Sequence, residues 1–249
     1  MLDVTGLVKS FGGAAAVSDV SLSVEAGESV GLVGPNGAGK TTVFNCICGQ
    51  ERPDAGRVVF GGRDLGHMAT WRRARLGIGR TYQRVEVFPE LTVRDHLLVA
   101  ARVGAHQGHL WRDLLNLSAP RSAELAQVGA ALALVGLDAV GDVPVAALGL
   151  GTCRLVELAR ALVARPRLLL ADEPSSGLDE VETREVAAVL RRLQAERGMA
   201  VLLVEHDLAM VEAVVDRVIV MDLGRIVAAG AYGDVMATPA VRHAYLGVE

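Results

Sequence analysis

Cysteine is scarce in this chain and no apolar run is long, and each shortage excludes a class of protein. Of the 249 residues, three are cysteine. Cys46 and Cys48 stand two apart on an expected helix and so point to different faces, while Cys153 stands alone. No metal-ligand spacing results, and the three read as free thiols of a reducing compartment. Hydrophobic residues make up 51% of the chain, yet the apolar stretches, such as residues 128–137, stop well short of the roughly 18 residues that span a bilayer. A basic N-terminal stretch leading into an apolar core and a small-residue cleavage site is also missing, so the expectation is a cytosolic protein, soluble or peripheral. Positive charge is not in excess. The formal net charge of -4 argues against broad nucleic-acid binding, and Arg72-Arg73-Ala74-Arg75 reads as a solvated face. No linker, internal repeat or low-complexity segment divides the chain, which is long enough for one α/β domain with a smaller subdomain.

Two kinds of strand pattern are present. Leu2, Val4 and Leu7, then Val20, Leu22 and Val24, read as the alternating residues of half-buried antiparallel strands. Residues 168–171 and 201–204 are instead short continuous apolar runs, as expected for strands covered on both faces by helices. Residues 92–137 are rich in Ala, Leu and Val and read as a helical insertion. A further helix is expected over residues 152–164, with Leu155, Leu158, Ala159 and Leu162 on one stripe and Pro166 closing it.

Residues Gly34, Pro35, Asn36, Gly37, Ala38, Gly39, Lys40, Thr41 and Thr42 follow an apolar run and fit the phosphate-cradling spacing G-x-x-x-x-G-K-[ST]. The glycines let successive N–H groups face a phosphate, and the helix that follows turns its positive end to the same anion. Lys40 would reach the β- and γ-phosphates of a nucleoside triphosphate, and the Thr41 hydroxyl would ligate Mg²⁺. Further on, Asp172 and Glu173 end a buried strand, where ligands bind in open α/β sheets. Asp172 is suited to hold Mg²⁺ through water, and Glu173 to act as general base on the attacking water.

With these motifs in this order, the chain resembles, over essentially its whole length, the nucleotide-binding subunit of an ATP-binding cassette (ABC) transporter. The resemblance implies an α/β fold with a P-loop NTPase core on a parallel sheet, an antiparallel β subdomain and an inserted helical subdomain. A single domain would span residues 1–249, with the core and β subdomain at about 1–91 and 165–249 and the helical subdomain at about 92–164. Phe11 is similar to the family's aromatic that stacks on adenine, a core position being the alternative. Gln83, in Thr81-Tyr82-Gln83, matches the glutamine that senses Mg²⁺ and the γ-phosphate and opens the segment facing the membrane subunit. His206 matches the histidine that contacts the γ-phosphate, and Ser176-Gly177-Leu178-Asp179 resembles the dimer-contact loop.

One element departs from the family. Its signature L-S-G-G-Q, which contacts the ATP held by the opposite subunit, corresponds here to Leu148-Gly149-Leu150-Gly151-Thr152. Gly149 has no hydroxyl and Thr152 replaces Gln, so the contact is weakened to backbone N–H groups and the helix N-terminus, or else the loop is idle.

Glu205-His206-Asp207-Leu208-Ala209-Met210-Val211, the ending at residues 241–247 and the long stretch 102–125 resemble the ATPases of branched-chain (hydrophobic) amino-acid importers. Lipopolysaccharide-export and urea or amide importer ATPases share parts of these motifs. A soluble cassette ATPase of translation or DNA repair is the reading from another class; such proteins carry two cassettes or a long coiled coil, and no heptad array is present here. The resemblance implies ATP and Mg²⁺ as ligands. Its partners would be a second ABC ATPase subunit, identical or not, transmembrane permease subunits and, indirectly, an extracytoplasmic solute-binding protein. The place implied is the cytoplasmic face of the cell membrane.

Overall fold

A computed structural model describes residues 1–81, 88–105, 121–239 and 241. The N-terminal alternation becomes β1 (Leu2–Phe11) and β2 (Ala14–Val24), paired antiparallel. Leu2 and Val4 are buried, and then Leu7; on the facing strand Val17 is buried, and then Val20, Leu22 and Val24. The step of three falls at Gly6 (φ 58°) on one strand and Asp19 (φ 59°) on the other, where the pairing register shifts. These bulges absorb one residue each and return the apolar side chains to the same face. With β4 (Ala55–Phe60) and β5 (Arg63–Asp64) the strands form one antiparallel sheet, in the order β2-β1-β4-β5.

A second sheet runs β10-β9-β3-β8-β7-β6. Its members are β3 (Ser29–Val33), β6 (Ile78–Arg80), β7 (Leu168–Asp172), β8 (Ala200–Val204), β9 (Arg217–Asp222) and β10 (Arg225–Gly230). All pairs are parallel except β9 with β10. Every residue of β3, β7 and β8 is buried, as the continuous apolar runs predict. Alternate residues serve two cores. Leu168 and Leu170 pack with the antiparallel sheet and α1 (Lys40–Cys48), whereas Leu169 and Ala171 pack with the helices on the other side.

Those helices are α3 (Val93–Ala105), α4 (Ser122–Val135), α5 (Leu150–Val163), α6 (Glu180–Arg197) and α7 (Leu208–Val214); α2 (Thr70–Arg75) and α8 (Tyr232–Met236) are short. The helical expectation for residues 92–137 is met by α3 and α4, with residues 106–120 outside the described residues. Helix α5 begins at Leu150 rather than Thr152, because Gly149 serves as N-cap with extended backbone and the first turn contains Gly151, which carries no apolar periodicity. It ends before Pro166, with Arg165 at φ 52°.

The arginine cluster departs from a solvated face. Arg72 and Arg75 are exposed over the Trp71 ring, but Arg73 is 3% exposed. It donates to the carbonyls of Cys46, Ile47, Leu65 and Met68, satisfying the last turn of α1 at the negative end of its dipole.

All three cysteines are free and buried. Burial pushes the Cys46 thiol up from 9.0 to about 11, and raises Cys48 and Cys153 as well. Thiolate is the nucleophile, so a thiol reagent at mildly alkaline pH should find none of the three in the native chain and all of them after denaturation. Rapid native modification would contradict this packing. Because the unfolded thiol ionises first, stability should also fall as pH rises through the window from 9.0 toward 11.

Candidate nucleotide site

The chain leaves β3 at Val33 and enters α1 at Lys40 through a loop whose glycines are required. Gly34, Gly37 and Gly39 lie at φ 146°, 83° and 99°. A Cβ on Gly34 would stand 2.0 Å from the Met221 carbonyl oxygen, and one on Gly39 would stand 2.4 Å from that of Ala16. The loop backbone therefore packs directly on β9 and β2, while Gly37 faces open space and is needed for its dihedral alone. No acidic residue lies in the first turn of α1, so the positive end of its dipole is left for an anion. Lys40 is 5% exposed, and its Nζ donates to the carbonyls of Gly34 at 2.6 Å and Pro35 at 2.9 Å, which holds the ammonium across the loop. Burial lowers its pKa from the ordinary 10.5, and the charges of Glu173 and Asp172 oppose that shift.

Asp172 ends β7 and is 5% exposed. Its N–H donates to Thr81 Oγ1 at 3.1 Å, and its Oδ2 accepts from Arg80 Nη2 at 2.8 Å. Glu173 follows at φ 46°, a left-handed conformation unusual for a side chain of this size, and its N–H donates to the Val204 carbonyl at 2.8 Å. His206, two residues beyond β8, brings Nε2 to 3.0 Å from Glu173 Oε1. The structure thus joins the expected general base to the expected histidine. Glu205, 2% exposed, accepts from Ser175 N–H through Oε1 and from His206 N–H through Oε2, at 2.8 and 2.9 Å. It ties together the loops that carry Glu173 and His206.

Sequence reasoning gave no role to Arg80 or Glu205. The available signals were their neighbours: Arg80 directly precedes Thr81-Tyr82-Gln83, and Glu205 directly precedes His206. Gln83 itself lies outside the described residues. Among the described residues no cluster of three or more His, Cys, Asp or Glu could hold a metal. The donors at hand are the Thr41 hydroxyl and the Asp172 carboxylate. Such a sparse oxygen set fits Mg²⁺, which is held by one or two protein oxygens beside phosphate oxygens and water.

Phe11 is 46% exposed at the end of β1, with Lys9 Nζ 5.0 Å from its ring centroid, so it is not a core residue. At the altered signature, Gly149 N-caps α5 with no side-chain hydrogen bond, and a Cβ there would meet nothing within 4 Å. Gly151 is tighter: its N–H donates to Glu182 Oε1 at 3.3 Å, and a Cβ on it would collide with the same carboxylate. Glu182 also completes a capping box with Asp179 at the start of α6.

Comparison with known proteins agrees with this geometry. The ABC transporter family model matches residues 17–176. The high-affinity branched-chain amino acid transport ATP-binding protein LivG of Salmonella typhimurium is 38% identical over 99% of this chain and 98% of its own length. The corresponding protein BraF of Pseudomonas aeruginosa is 37% identical, over 99% and 98%. A crystal structure of the ADP conformation of an ATP-binding cassette of an ABC transporter superposes with a TM-score of 0.89 at 30% identity, covering 100% of this chain and 99% of that one. The chain belongs to the ABC transporter family.

Proposed function

We propose that this chain is the Mg²⁺-dependent ATPase motor subunit of an importer for branched-chain or other hydrophobic amino acids. One observation carries the ATPase reading: the phosphate loop, Asp172, and the Glu173–His206 pair converge at the C-terminal ends of β3, β7 and β8. The solute class is supported by LivG and BraF, whose names assign them to branched-chain amino-acid transport.

In this reading residues 34–42 wrap the phosphates, Lys40 neutralises the β- and γ-oxygens, and Phe11 stacks on adenine. Thr41, Asp172 and Gln83 would hold Mg²⁺, which when bound neutralises charge developing on the phosphate oxygens. Glu173 takes a proton from water as the water oxygen bonds to the γ-phosphorus and the bridging oxygen leaves with ADP. His206 orients Glu173 and meets the γ-phosphate. A second cassette would receive Gly149 and Gly151 at its own ATP, and permease subunits, indirectly served by a solute-binding protein, would place the assembly on the cytoplasmic face of the membrane. Among the described residues no helix is long and apolar enough to cross a membrane, which suits a peripheral subunit. The inserted helical subdomain would span about residues 92–164.

Glu173→Gln should retain ATP binding while slowing hydrolysis roughly 100-fold or more, since it removes the base and keeps the shape. Hydrolysis near the wild-type rate in the complex would refute the assignment. Lys40→Ala should lose nucleotide affinity, measured by titration with a fluorescent ATP analogue.

Phe88 is 62% exposed and stacks on His96, a position suited to contact with a permease. Phe88→Asp should reduce co-purification with the permease and leave ATP affinity unchanged; full recovery of the complex would argue against that contact.

Gly149→Ser fits the space around Gly149 and restores a hydroxyl to the signature, so ATP-driven dimerisation or turnover should rise. If the other cassette has an intact signature, losing its catalytic carboxylate should harm hydrolysis less than losing Glu173. Equal losses from either side would show that Gly149 creates no asymmetry.

A further inference from the structure

Arg80 is the last residue of β6 and its side chain is almost fully enclosed, 9% exposed against 7% for that of Asp172. Its guanidinium reaches two elements at once. Nη2 donates to Asp172 Oδ2 at 2.8 Å, while Nη1 donates to Asn45 Oδ1 and to Gln50 Oε1, both at 2.7 Å. The Phe44 ring lies beneath it, 5.8 Å from its centroid to the guanidinium carbon. Asn45 and Phe44 belong to α1, and Asn45 stands one helical turn beyond Thr41, on the same face of the helix. The arginine fork therefore spans from the carboxylate at the end of β7 to the helix that bears Thr41. Among the described residues Asp172 Oδ1 accepts no hydrogen bond, so one oxygen is tied and the other is left for a cation's water shell.

A simple counter-charge for Asp172 would need none of this. A lysine ammonium could neutralise the carboxylate, but it lacks the planar array of donors that here meets Asp172 on one side and Asn45 and Gln50 on the other. Nor is stability a sufficient reason, because a buried ion pair gains little over an apolar pair of the same volume.

We propose that Arg80 is a positioning residue: by bridging Asp172 to Asn45 it fixes two of the oxygens assigned to the divalent cation, those on β7 and on α1, in one arrangement. This rests on the reading of Asp172 and Thr41 as the cation's protein ligands. It assigns Arg80 no contact with substrate.

The sign of a metal-affinity change separates positioning from charge. If Arg80 acted only as a nearby positive charge, its removal would tighten binding of a divalent cation by relieving repulsion. If it positions Asp172, its removal should weaken binding, by roughly tenfold or more as is typical for residues that orient metal ligands. The measurement is Mn²⁺ titration followed by electron paramagnetic resonance, on the full chain carrying Glu173→Gln and saturated with ATP so that the nucleotide is not consumed. Arg80→Met and Arg80→Lys should both weaken Mn²⁺ binding, while ATP affinity in EDTA stays within about twofold of the parent because Lys40 and the loop are intact. Should Arg80→Met fail to fold, Asn45→Ala removes only the anchor on α1 and leaves the Arg80–Asp172 pair; it too should weaken Mn²⁺ binding. Unchanged or tighter Mn²⁺ affinity in the folded variants would overturn the proposal. Asp172→Asn is the control: if it binds Mn²⁺ as the parent does, the metal reading itself fails, whereas its weakening beside unaffected Arg80 and Asn45 variants would sink the positioning role alone.

Discussion

The register between three parallel strands governs the rest of the molecule. Leu32 of β3 and Asp172 of β7 both pair with Val204 of β8, so the three strands end within one residue of one another. From that line the phosphate loop departs on one strand, Glu173 on the second and His206 on the third. Side chains alternate between two cores along these strands, and a slip of one residue would exchange their faces everywhere. The burial of Leu168 through Ala171 and of their counterparts on β8 therefore fixes where the strand-end side chains can stand. Hydrophobic packing sets the geometry, and the polar residues follow at the strand ends.

Around that line several charges are buried, and each is held by a specific contact. A desolvated charge without partners costs several kcal/mol, so these side chains stay where their partners are. Glu205 accepts from backbone N–H groups of two loops, Arg80 links β6, β7 and α1, and Lys40 lies across its own loop. The loops after β7 and β8 are irregular in backbone yet pinned through these contacts. Glu173 keeps its left-handed conformation because its N–H is bonded to Val204 and its carboxylate meets His206.

The segment of residues 148–152, read as the signature, is joined to the same loops within one chain. Gly151 at the start of α5 is bonded to Glu182 of α6, and Arg154 of α5 donates to the Ser176 carbonyl in the loop between Glu173 and α6. Arg154 also pairs with Glu157, both nearly buried. Gly149 therefore stands at a braced helix end, with Gly151 and Arg154 holding the turn that follows it.

The sequence by itself determined the patterns that are local in the chain. Glycines spaced before Lys40 and Thr41, an Asp-Glu pair closing an apolar run, and the periods of strand and helix all express constraints between near neighbours, and the structure keeps them in place. The bulges at Gly6 and Asp19, which interrupt the expected alternation, came only with the pairing of the two strands. Tertiary structure alone decided what depends on residues distant in sequence: that His206 meets Glu173, that Glu205 joins two loops, that Arg73 is buried under α1 rather than solvated, and that Arg80 spans Asp172 and Asn45. No periodicity encodes such pairs. A charged side chain becomes structural only when the fold has removed water around it and supplied a partner from another element, and the linear chain carries no record of which element that is.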